Sequence, residues 1–99
     1  MTTERDWIEA KEWFPIGKIV SADVIRVEAF GVFLDLPDAN VRGLLLVPFL
    51  EDGERALELE DYPRVGDSVR AIVVHHEEHN RQIRLSMRAS DFVRFLGDG

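Results

Sequence analysis

The chain has 99 residues, enough for one domain with one modest core. A formal charge of −7 argues against a general polyanion binder, whose footprint is usually basic, but leaves room for a local site. With no cysteine, disulfides, iron–sulfur clusters, thiolate zinc sites and thiol nucleophiles are excluded. No run of about 18 apolar residues is long enough to span a membrane. The N-terminal stretch MTTERDWIEAKEW is charged throughout and lacks the apolar segment of a signal peptide, so a cytoplasmic chain is expected. Ten of the 12 basic residues are arginine, the better side chain for planar and phosphate recognition.

Residues 3–14 read as a short helix. Thr3 is its cap, with Asp6 three residues on as an imperfect capping box, and Pro15 and Gly17 end it. Trp7, Ala10, Lys11 and Phe14 fall on one side, which predicts a helix docked on the domain to shield a sheet edge or barrel end. A partner-binding helix carrying Trp7 and Trp13 is the sharper reading. From Lys18 the pattern turns to strands rich in β-branched residues. Val20, Ala22 and Val24 hold one phase, and Ile25 and Val27 break it. A phase break in a long strand predicts a bulge, as a strand needs when it curls around a barrel.

Gly31 marks the corner into a second strand. Strict alternation gives one face to Phe30, Val32, Leu34 and Leu36 and the other to Gly31, Phe33 and Asp35, so Phe33 shares the polar side. The PDAN segment is a turn signal. The third strand is VRGLLLVPF, closed by Pro48. A connection from Leu50 to Asp67 follows, with seven acidic residues and two arginines; it is too long for a hairpin loop and predicts a short helix or helical turn. The fourth strand is SVRAIVVHH. The fifth is RQIRLSMR, with Ile83, Leu85 and Met87 inward and Gln82, Arg84, Ser86 and Arg88 outward. EEHN joins them as a hairpin, with Asn80 the residue expected at positive φ. Residues 91–96, DFVRFL, form one last helical turn. Five short strands with a helical connection between the third and fourth fit an all-β, closed or partly open Greek-key barrel of the oligonucleotide/oligosaccharide-binding type (OB-fold).

Gly17, the run Phe30-Gly31-Val32-Phe33, then Gly43-Leu44, Val65-Gly66-Asp67 and Leu85-Ser86 stand in an order and spacing that resembles the ribosomal S-one type RNA-binding domain. The resemblance covers residues 16–88 and leaves residues 1–15 and 89–99 as flanking extensions. It implies a five-stranded barrel that binds single-stranded RNA through two aromatics, a third-strand histidine, and an acid and a basic residue from the last hairpin. The aromatics match Phe30 and Phe33, with Phe30 turned outward by a bulge at Gly31. Leu46 stands at the histidine position; it packs on a base but cannot hydrogen-bond one. The acid is Glu77 or Glu78, and the basic position is Arg81 or Gln82, because the hairpin is one residue longer than usual.

The chemistry read from the residues is binding. Phe30, Phe33 and Leu46 form a patch on which bases of a single strand stack, with Arg81 and Arg84 placed for phosphates and Glu77 at the rim. Binding is expected to be weak, non-catalytic and of low sequence specificity. The alternative is a protein-interaction module using the same apolar face or the acidic segment 51–67, and a third reading covers the patch with a terminal helix. The HHEEHN stretch tempts a metal reading. Its flanks predict strand and turn, though, and the metalloprotease spacing fails, so no metal or cofactor is expected. No glycine-rich phosphate loop, Gly-x-Ser-x-Gly elbow or small-molecule substrate site stands out.

Overall fold

The computed structural model describes residues 2–37 and 39–96; Met1, Asp38 and residues 97–99 lie outside it. Helix α1 (Glu4–Trp13) starts where the sequence places it. Thr3 Oγ1 accepts from the Asp6 amide and the Asp6 carboxylate accepts from the Thr3 amide, a complete capping box. The strands are β1 (Ile19–Glu28), β2 (Gly31–Asp35), β3 (Arg42–Leu46), β4 (Ser68–Glu77) and β5 (Gln82–Ser86). They close into a barrel in the order β1-β2-β3-β5-β4, with β4 pairing back onto β1. Every pairing is antiparallel except β3 with β5. That one parallel contact requires a crossover, and residues 47–67 supply it. This connection is helical only as two 3-10 turns, Val47–Phe49 and Leu59–Asp61.

The barrel interior is filled by Val20, Ala22 and Val24 of β1, Val32 and Leu34 of β2, Leu45 of β3, and the odd-numbered apolar residues of β4 and β5. Helix α1 plugs one end. Trp7, Ala10 and Phe14 are buried there as the sequence indicates, while Trp13 stays exposed. Polar bonds fix the plug: Trp7 Nε1 donates to Glu78 Oε1 at 3.1 Å, and His76 Nε2 donates to the Phe14 carbonyl at 2.7 Å.

Two bulges bend the long strands. One interrupts β1 between Val24 and Arg26, where the phase break predicts it, and the other interrupts β4 between Val73 and His75. A bulge spends one extra residue, so the alternation reverses beyond it. Arg26 and His75, each two residues after an inward valine, are thereby turned outward.

The C-terminal segment departs from expectation. Helix α2 (Ala89–Leu96) has eight residues rather than one turn, and it covers part of the outer barrel face. Ser86 points outward as expected but is fully buried beneath α2, where the Asp91 carboxylate accepts its hydroxyl at 2.6 Å. Arg88 Nε donates to the same carboxylate at 2.7 Å. Burial pushes the Asp91 carboxyl upward, but the hydrogen bonds from Arg88 and Ser86 outweigh it and hold the group below its ordinary 3.8. A folded value below the unfolded one means the stabilisation is present above pH 3.8 and is lost as pH falls through the folded value. Asp91→Asn should therefore be less stable than the native chain at pH 7, by about 1–3 kcal/mol, with the difference shrinking below about pH 4. Thermal melts of both proteins from pH 7 to pH 3 check this; parallel curves would remove Asp91 from the account.

Candidate nucleic-acid interface

The outer face of β1, β2, β3, β5 and β4 carries one continuous cross-strand row. Arg26 pairs with Phe33, Phe33 with Leu44, Leu44 with Arg84, and Arg84 with His75. Phe33 points away from the barrel core, as alternation predicts, but it is only 8% exposed. The Arg26 guanidinium lies 5.7 Å from its ring centroid and that of Arg42 5.9 Å. Phe30 meets it edge-on with centroids 5.9 Å apart. Aromatic edges and guanidinium planes both suit the π-face of a phenyl ring, so the cluster holds itself together without a core.

Phe30 reaches the surface by another route than a bulge at Gly31. It is the second residue of the two-residue turn Ala29-Phe30 that joins β1 to β2, and its side chain is 53% exposed. Glu28 and Gly31 pair directly across the turn. The Tyr62 hydroxyl donates to the Ala29 carbonyl at 2.8 Å and pins that turn to the long connection. Leu46 is half-buried and pairs with Gly31 on the same outer face.

The β4–β5 hairpin separates the two acids. Glu77 ends β4 opposite Gln82, and its carboxylate accepts from the Asn80 amide at 2.7 Å and the His79 amide at 3.1 Å. Those bonds, the one from Asn80 foremost, keep its carboxyl below the ordinary range. Glu78 belongs instead to the α1 plug, where hydrogen bonds from Trp7 and Lys11 lower it. The residue at positive φ is Arg81, at 52°, and not Asn80. With the Asn80 amide held by Glu77, the left-handed step falls on the last loop residue. Arg81 Nη1 donates to the Thr2 carbonyl at 3.0 Å, and its side chain lines a groove with Arg42, Asn80 and Gln82.

Beside Leu44 and Leu46 the row opens into a hollow of about 160 Å³, walled by Phe49, Val74 and Leu85 and rimmed by Arg84 and His75. Among the described residues no carboxylate forms an ion pair with Arg42, Arg81 or Arg84, although the chain carries a net charge of −7. Phe30, Phe33, Leu46, Arg81 and Arg84 thus lie on or beside one face, with Glu77 spent on its hairpin. Arg26 and Arg42 complete the face and are absent from the sequence reading, as is any binding role for His75, which entered it only through the rejected metal reading of HHEEHN. The phase break at Ile25 is the one signal that points to Arg26.

A closed five-stranded barrel of this order, with an aromatic and arginine-bearing outer face, defines an oligonucleotide/oligosaccharide-binding fold. A family model described as the S1 RNA binding domain matches residues 14–88, and the chain belongs to that family of RNA-binding modules. It is 33% identical over 86 residues to the small ribosomal subunit protein bS1 of Chlamydia muridarum, covering 87% of this chain and 15% of that protein. The chain therefore spans about one seventh of that relative's length. The solution structure of GSP13 from Bacillus subtilis superposes with a TM-score of 0.66 at 27% identity, covering 78% of this chain and 58% of that one. A chain of the a/eIF2alpha–aDim2p–rRNA complex from Pyrococcus horikoshii gives 0.63 at 26% identity, covering 74% and 44%.

Proposed function

We propose that this chain binds single-stranded RNA, without catalysis, on the outer face of β1, β2 and β3. The observation that carries the reading is the arginine-flanked Phe33 beside the exposed Phe30, in a protein otherwise strongly acidic. Every base offers an apolar face, so the open Phe30 ring takes a base of any identity. Arg26 and Arg42 pack over Phe33 in the free protein. On binding they move aside to phosphates, Arg26 exchanging its ion pair with Glu28 for one, as Arg81 does from the neighbouring groove, and uncover Phe33 for a second base. Leu46 extends the apolar surface, and Glu77 keeps the hairpin in shape. We assign binding to the barrel, residues 16–88, with residues 1–15 and 89–99 as extensions that plug and brace it. The setting we assign is the cytoplasm, supported by the ribosomal relative. The rRNA-containing neighbour supports RNA as the ligand class.

Three phosphate contacts give a shallow salt dependence, with a slope of log K against log salt of about −2 for a single strand. Titration of isotope-labelled protein with a hexauridylate at low salt tests the reading. Amide shifts centred on Phe30, Phe33, Leu46 and Arg42, fading with salt at about that slope, are expected. No shifts at millimolar RNA would overturn it and turn the search to a protein partner on the same face or on the acidic connection.

A further inference from the structure

The hollow at the far end of the cross-strand row has a composition unlike the rest of the face. Its walls are Leu44, Leu46, Phe49, Val74 and Leu85, and its rim carries only two groups with hydrogen-bonding side chains, Arg84 and His75. Phe49 is itself held in place, with the Arg88 guanidinium 4.5 Å from its ring centroid. Arg84 Nε donates to Gln82 Oε1 at 3.1 Å. That bond uses Nε and leaves both Nη nitrogens for another acceptor, with no carboxylate paired to them among the described residues. The bulge in β4 brings His75 to the same rim.

We infer that this hollow is a base-reading slot selective for guanine, filled by a nucleotide next to those stacked on Phe30 and Phe33. The inference rests on the single-stranded RNA reading above, because the hollow continues the row that begins at Arg26 and Phe33. An apolar slot takes the base plane, and the two free guanidinium nitrogens meet an edge with two adjacent acceptors. Guanine O6 and N7 form such an edge. Adenine sets an amino donor beside N7 and so opposes donor with donor, and uracil offers no such pair. In a single strand this edge is open to protein, since no duplex hides it. His75 closes the open side of the slot with its ring. Stacking on Phe30 and Phe33 ignores sequence, so the slot confers preference at one position of the bound strand.

The test compares four hexanucleotides on the full chain by fluorescence anisotropy: all-uridine, and the same strand with one central guanosine, adenosine or 7-deazaguanosine. Guanosine should bind about tenfold tighter than adenosine or uridine at that position, the size of one good paired contact. Replacing N7 by carbon should remove most of that gain. Arg84→Lys keeps the charge but not the fork, so the ratio of guanosine to adenosine affinity should fall to about one. Equal binding of all four strands would overturn the slot while leaving the stacking face intact. So would a guanosine preference that survives Arg84→Lys, or an Arg84 effect indifferent to the base, as a phosphate contact would give. Failure of every strand to bind would overturn both readings together.

Discussion

Phe30→Ala should weaken binding of a short single-stranded RNA about tenfold, while changing stability by less than about 1 kcal/mol. The affinity loss follows from one base losing its platform, at roughly 1–3 kcal/mol per stacked base. The small stability change follows from a side chain that is 53% exposed and whose one aromatic partner is Phe33, in an edge contact. Phe33→Ala should behave differently. It also removes the surface on which Arg26 and Arg42 rest, so both affinity and Tm should fall. Calorimetric titration with a hexauridylate, paired with thermal melts, separates the two. Wild-type affinity in Phe30→Ala would move the platform elsewhere, and a large drop in its Tm would mean that the ring is structural.

The second large effect is on folding, at Gly31. A Cβ at this position would lie 2.4 Å from the Leu45 carbonyl oxygen and 3.1 Å from the Leu46 Cα. Both atoms belong to the backbone of β3, which pairs with β2 and cannot yield without breaking the ladder. Gly31→Ala should therefore cost about 3 kcal/mol or more and lower Tm by more than about 10 °C. Gly43 is the control. Its Cβ would meet Leu85 Cδ1 at 2.8 Å and Leu36 Cδ2 at 3.1 Å, both ends of buried side chains, which can shift slightly where a paired backbone cannot. Gly43→Ala should cost roughly half as much or less. Equal melting temperatures for the two variants would show that the close approach at Gly31 does not limit the fold. The same contact matters for binding, because Gly31 lets β2 lie close to β3 with Phe30 on one side and Phe33 on the other.

The elements of this protein were legible in its residues for definite reasons. Thr3 and Asp6 announce a capping box because their spacing allows both bonds to form locally. Five strands and the bulge in β1 follow from apolar alternation and its break after Val24, since burial on one face imposes period two. The order Phe-Gly-x-Phe, with its Gly-Leu and Val-Gly-Asp companions, marked the family over residues 16–88, within the residues 14–88 that the family model matches. Helix α2 was underestimated. Local bonds from Ser86 and Arg88 to Asp91 anchor its start, and packing on β4 with Ser90 donating to Asp52 supplies tertiary contacts that leave no periodic trace in six residues.

What the sequence determined by itself is the barrel and the place of its two aromatics along the chain. Those depend on local alternation and turn chemistry, which each residue carries with it. The remaining members of the binding face were decided only by the tertiary structure. Arg26 joins Phe33 because an extra residue in β1 reverses its side. His75 meets Arg84 because an extra residue in β4 does the same. Arg42 arrives from a strand that pairs with β2 only after the chain has turned through PDAN. Cross-strand neighbours are set by register, and register is fixed by closure of the whole barrel rather than by any stretch of sequence short enough to read alone.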